Sequence, residues 1–111
     1  MNESAGLLPG TLDLLILKVL TWGPRHGYAI ARLIEERTGQ LLSIEEGSLY
    51  PALYRMEKRD WIKAEWGLSE LGRNAKFYAL TRAGRARLAR ETEHWRTVSD
   101  AVEKVLRTDH A

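Results

Sequence analysis

The sequence predicts a mainly α-helical fold that carries one small two-stranded antiparallel hairpin and ends in a long helix. Three observations predict it. The first sixty residues hold three segments in which apolar side chains recur at helical spacing. From Trp61 the pattern changes to alternation, in two runs separated by a polar, glycine-bearing stretch. After Thr81 a single long segment shows apolar positions seven residues apart.

Taken in order, a loose start leads through Pro9-Gly10-Thr11 into a first helix from about Leu12 to Thr21. Its apolar residues go nearly all the way round, so every side needs cover, and in so small a protein that points to a second subunit. Trp22-Gly23-Pro24 breaks it. His26-Gly27-Tyr28 opens a second helix that runs to about Thr38, with Ile30, Leu33 and Ile34 inward and Gly39 closing it. In the third helix Leu49, Leu53 and Met56 share the inward face. Ser43 and Glu46 have capping-box spacing, but a start that early would bury Pro51 deep in the helix, against the carbonyl of Gly47. A start at Glu46 or Gly47 is therefore preferred. Ile62–Trp66 and Ala75–Leu80 read as strands, with residues 67–74 as the hairpin tip. Thr81 caps the last helix, from about Arg82 to Leu106.

Three helices followed by a hairpin is the order of a winged helix-turn-helix, in which the third helix enters the major groove and the hairpin touches the neighbouring backbone. The expected division is a DNA-binding unit over residues 1–81 and a dimerisation helix over residues 82–111 that packs with the first helix. Charge agrees. The net +2 is unevenly spread: residues 45–90 carry +4, and residues 71–90 hold six bases and no acid. A basic stretch directly after the third helix favours an anionic polymer as partner.

Other chemistries find little support. Without cysteine there is no disulfide or thiolate metal site, and His26, His94 and His110 are too scattered to hold an ion. No metal and no cofactor is expected. Ser48, His26 and Asp60 could be drawn as a catalytic set, but no nucleophile elbow or phosphate loop surrounds them, so no catalytic residue is expected. No apolar run reaches a membrane span and residues 1–10 lack the basic start of a signal peptide, so the expected location is cytoplasmic.

The residues Leu8-Pro9-Gly10-Thr11-Leu12-Asp13-Leu14-Leu15-Ile16-Leu17, His26-Gly27-Tyr28, Gly47-Ser48-Leu49-Tyr50-Pro51-Ala52-Leu53, Glu65-Trp66-Gly67 and Phe77-Tyr78-Ala79-Leu80-Thr81 together resemble the PadR family of bacterial transcriptional regulators. The resemblance covers residues 7–106 and is to the short subgroup, whose C-terminal part is one dimerising helix. It implies a homodimeric winged-helix repressor of an inverted-repeat operator in double-stranded DNA, in some members released by a small aromatic effector. One departure is visible: relatives carry more Arg and Lys in the wing than Gly72-Arg73-Asn74-Ala75-Lys76, and Ala79 stands where Arg is common.

The candidate DNA contacts fall in three groups. Ser48, Tyr50, Pro51, Tyr54, Arg55 and Lys58 stand on the free side of the third helix, where hydroxyls and cations suit phosphates and base edges; Tyr50 and Tyr54 could instead pack across the helix-turn-helix. His26, Gly27 and Tyr28 begin the second helix, whose first amides suit a phosphate, or form a plain turn and cap. Arg73, Asn74 and Lys76 lie on the wing, as phosphate or minor-groove contacts or as a solvated hairpin. On the last helix Leu88, Trp95 and Val102, with Val98 and Val105, form a coiled-coil-like seam. It either packs a dimer only or, as the resemblance implies, lets Trp95 with Leu14, Leu17 and Val98 line a pocket for a planar aromatic. The alternative function is a winged-helix protein-interaction module with little or no DNA binding.

Overall fold

The computed structural model describes residues 10–110; the loose start, with Leu8 and Pro9 of the first motif, lies outside them. The chain runs α1 (Thr11–Leu20), β1 (Arg25–His26), α2 (Gly27–Arg37), α3 (Glu46–Lys58), β2 (Ile62–Leu68), β3 (Asn74–Leu80) and α4 (Arg82–Leu106). The helices match their expected places to within a residue or two. The sheet differs: it has three strands in the order β1-β3-β2, because Arg25 and His26 pair antiparallel with Tyr78 and Phe77. Two residues are too few to show alternation in a sequence, so this strand left no periodic signal.

The core gathers the inward stripes of α1, α2 and α3 against the base of the hairpin. Ile16, Leu17, Ile30, Leu53 and Met56 have no exposed surface, and Ile62 and Tyr78 close the core from β2 and β3. Burying one such aliphatic side chain contributes about 2 kcal/mol.

The helix ends follow local chemistry. Glu45, not Ser43, is the N-cap of α3 and makes no side-chain cap, so the capping-box pattern is not used. Glu35 of α2 instead reaches across the turn, where its carboxylate accepts the Ile44 N–H at 2.8 Å. Pro51 stands inside α3, one turn beyond Gly47, which is exposed, so water can serve the carbonyl that lacks its usual donor. At the other end Asp60 adopts φ +62°, Trp61 N–H donates to Met56 O at 3.0 Å and Asp60 N–H to Glu57 O at 3.0 Å. These are the two bonds of a Schellman ending. Thr81 caps α4 as expected, its Oγ1 accepting from Gly84 N–H at 2.9 Å and donating to Asp60 O at 2.6 Å. Gly84 is the one residue of α4 that is fully buried, since a Cβ there would collide with the carbonyl oxygen of Trp61. Beyond Thr92 every described residue of α4 is exposed, and the molecule is correspondingly elongated, 58 × 33 × 21 Å.

Candidate nucleic-acid interface

The wing and the start of α2 form the two walls of an open groove of about 930 Å³, with Tyr50 of α3 between them. The first wall begins at His26. Its backbone is extended (φ −81°, ψ 165°) and its Nδ1 accepts the Ala29 N–H at 3.2 Å, capping α2. Because Nδ1 accepts, the ring proton of the neutral imidazole sits on Nε2. The ring meets Phe77 edge-on at 5.4 Å and stacks on Tyr28 at 6.4 Å, so the cap is held from both sides.

Gly27 is buried because Tyr50 lies across it: a Cβ at Gly27 would stand 2.8 Å from Tyr50 Cε1 and 2.9 Å from its hydroxyl oxygen. Tyr50 thus packs across the helix-turn-helix and still presents a half-exposed ring to the groove. Tyr28 is exposed, accepts from Arg32 Nη1 at 2.9 Å and lies 5.7 Å from that guanidinium.

On α3 the buried face is Leu49, Ala52, Leu53 and Met56. Ser48, Pro51, Tyr54 and Lys58 are exposed on the remaining faces, and Lys58 Nζ lies 5.5 Å over the Tyr54 ring. Arg55 is placed differently from the sequence reading. Its Nη2 donates to Asp13 Oδ1 of α1 at 2.6 Å, and the Asp13 side chain is mostly buried. One edge of the guanidinium is therefore spent on fixing α3 against α1, which makes Arg55 first a positioning residue.

The wing supplies the second wall. Arg73 and Asn74 are exposed where the hairpin turns. Lys76 is bound by Glu57 of α3 at 3.2 Å and stands 5.8 Å from the Tyr78 ring. Burial pushes the Tyr78 phenol above its ordinary value of 10.0; Lys76 pulls it down, while Glu57 and Tyr50 add to the rise.

Arg25, Arg32 and Trp66 are among the groove residues that escaped the sequence reading. Arg25 lies at the foot of the groove, with its Nε shielded from solvent and without an acceptor among the described residues. Arg32 is recognisable afterwards as the residue four positions beyond Tyr28, and Trp66 as the large side chain opposite Lys76 in the ladder. Glu36 and Glu70 also line the groove, so it is not uniformly cationic.

The seam residues are far from this groove in kind. Leu17 has no exposed surface and belongs to the chain's own core, which corrects its place in a ligand wall. Leu14 and Leu88 are half-buried, with Leu88 packed against the core. Trp95 (43 % exposed), Val98, Val102 and Val105 are open to solvent along α4. Among the described residues there is no cluster able to hold a metal ion, and no helix is long and apolar enough to cross a membrane.

Residues 16–90 match the model of the transcriptional regulator PadR-like family. A transcriptional regulator from Clostridium thermocellum has a similar structure (TM-score 0.79, 32 % identity, covering 86 % of this chain and 92 % of that one). So does a PadR-like transcriptional regulator from Bacillus cereus (TM-score 0.78, 29 % identity, 94 % and 99 % covered). An uncharacterised protein X of Lysinibacillus sphaericus is 32 % identical over 97 residues, 87 % of this chain and 89 % of that one. Proteins of this kind regulate transcription by binding DNA and are not enzymes. With the winged helix, the groove and these matches together, the chain belongs to the PadR-like family of transcriptional regulators.

Proposed function

We propose that the chain is a homodimeric repressor whose two α3 helices read successive major grooves of an inverted repeat, about 34 Å apart. The observation that carries this reading is the groove itself. Arg25, Arg32, Arg73 and the capped start of α2 line a channel that Tyr50 of α3 also lines, and Ser48 and Tyr54 are exposed on the same helix. A strand of DNA backbone would lie in the channel, while Ser48, Tyr54 and Lys58 face the major groove. Ser48 and Tyr54 can bond phosphates or base edges, and Lys58 is a point charge near the backbone.

The dimer rests on α4. Trp95, Val98, Val102 and Val105 form one apolar stripe, and a second copy of the same stripe is the partner that such spacing suits. In this reading Trp95, beside Val98 on the open seam, also meets a small aromatic effector, whose binding releases the operator.

Selection from random duplexes with the full chain, followed by anisotropy titrations between 50 and 200 mM salt (roughly the range over which phosphate contacts weaken), tests the reading. A short inverted repeat bound with a steep salt dependence is expected. Recovery of no duplex, or affinity indifferent to salt, overturns it in favour of the protein-interaction module. Quenching of tryptophan emission by planar aromatics, lost in Trp95→Phe, tests the effector; quenching that persists in that variant places any aromatic elsewhere.

A further inference from the structure

Arg55 stands where the third helix would meet a base, yet an acid from the first helix holds it. Ser48, Pro51, Arg55 and Lys58 recur at helical spacing and form one exposed stripe along α3. The Arg55 side chain is 44 % exposed on that stripe. Asp13, in the first turn of α1, has a side chain only 13 % exposed and accepts from Arg55 Nη2 at 2.6 Å. A carboxylate so far out of water needs a cation beside it. The contact uses only part of the donor fork of the guanidinium, so the rest of Arg55 stays open to a target.

The pair changes what Arg55 can do for that target. A lone cation on this stripe would attract phosphates anywhere along a duplex and release a counterion there. With Asp13 at hydrogen-bond distance the two charges nearly cancel, so indiscriminate attraction is weakened. Orientation is gained in exchange. The bond fixes the plane of the guanidinium, and a planar fork suits the O6 and N7 acceptors of a guanine edge. The carboxylate also repels phosphate, which leaves an aligned base edge as the better partner.

We propose that Asp13 is a positioning residue for sequence recognition: it turns Arg55 from a general phosphate contact into a reader of one guanine in each half-site. The proposal rests on the DNA-binding reading above, and it adds to that site a residue of α1, outside the second and third helices and the wing. Because α1 packs against α2, α3, β3 and α4, Asp13 is carried by the body of the molecule, and its hold on Arg55 is as firm as the core. Lys58, three positions on, is placed over the Tyr54 ring instead and keeps its full charge for the backbone. Neighbouring cations on one stripe thus divide the work, Lys58 gripping and Arg55 reading.

The test uses the full chain, a duplex selected with the wild-type protein and random duplexes of the same length. Asp13→Asn keeps the shape and the acceptor oxygen and removes only the charge. On random duplexes it should raise affinity about fivefold at about 50 mM salt and steepen the slope of log K against log salt by about 0.9, one counterion's worth. The selected duplex should gain less, because Arg55 is already engaged there, so the ratio of selected to random affinity should fall about threefold or more. Asp13→Asn with Arg55→Ala should restore the wild-type slope on random duplexes and lose about tenfold on the selected one. Replacing guanine by 7-deazaguanine, one position at a time, removes the N7 acceptor from the major groove. One such position in each half-site should weaken the wild type and leave the double variant unaffected. The double variant strands neither charge without its partner, so it carries the test if Asp13→Asn alone melts lower than wild type.

An unchanged slope and an unchanged ratio in Asp13→Asn overturn the proposal and make the pair a staple between α1 and α3. A double variant whose slope on random duplexes is shallower than that of wild type by about 0.9 also overturns it, since Arg55 then grips phosphate despite Asp13. So does a 7-deazaguanine penalty that is absent from the wild type or survives in the double variant, because the guanine then has no reader or another one. In each of these cases the selected duplex is still bound and the DNA-binding reading stands. Failure of the wild type to select any duplex defeats both readings at once.

Discussion

Single residues set the angles of the interface. Gly27 is small because Tyr50 occupies the space a side chain would need, so the start of α2 and the ring of α3 share one van der Waals boundary. Gly27→Ala should cost about 1–2 kcal/mol in denaturant unfolding, and the cost should largely vanish in a Tyr50→Ala background, because the two changes act on one contact. Undiminished cost in that background would mean another group crowds the site. Tyr78 gives a pH prediction. Burial holds its phenol above 10.0, so the folded chain keeps the proton after the unfolded chain has lost it. The stability it contributes is therefore complete below pH 10 and falls as pH rises past that value. Melting temperatures from pH 8 to 11 should decline less steeply in Tyr78→Phe than in wild type. These contacts were only half legible in the sequence. Tyr50 could be read as packing or as reading DNA, and the structure shows packing with one face left over. In the sequence Arg55 reads only as a DNA contact, because its partner Asp13 is forty-two positions earlier and no local spacing links them.

At the scale of the element, what could be read was what repeats. The stripe of Leu49, Leu53 and Met56, the cap at Thr81 and the alternation of β2 and β3 each come from a local rule, and each stands where the rule places it. Where local rules compete with distant partners, the outcome is set by the partner. The capping-box spacing of Ser43 and Glu46 goes unused while Glu35 accepts from Ile44, nine residues on; the preferred start at Glu46 is the observed one, with Pro51 just past the first turn of α3. The end of α3 offers a direct gain. Asp60 holds the left-handed position that glycine fills without steric cost, and its carbonyl, not its side chain, accepts from Thr81. Asp60→Gly should therefore stabilise the chain by about 0.5–1 kcal/mol, read as a higher denaturant midpoint with an unchanged slope. A lower midpoint would show that the Asp60 carboxylate contributes more than its backbone strain costs.

Across the whole molecule the division of labour is between a packed unit from α1 to β3 and a helix that leaves it. Heptad spacing marks an apolar stripe on α4 and the family resemblance joins Leu17 of α1 to Trp95, but neither can tell Leu17, which the chain buries, from Trp95, which it leaves open. Both are apolar residues on helices, and only the packing of α2, α3, β3 and α4 around α1 separates them. Val98→Asp with Val102→Asp should convert a dimer into a monomer in sedimentation, with operator affinity falling by more than about tenfold because half-sites no longer add. An unchanged mass would put the seam elsewhere. The two-residue strand β1 matters most at this scale. It ties the start of α2 to the central strand of the wing, with His26 serving as cap and as strand residue at once. Helix and wing therefore cannot slide past one another without breaking both a ladder and a cap. In the proposed dimer each chain would then be a caliper with a fixed jaw, the offset between the start of α2 and the wing being constant. Any tolerance for longer or shorter spacers must then come from the joint between two protomers, so operators should vary in the distance between half-sites and not within them.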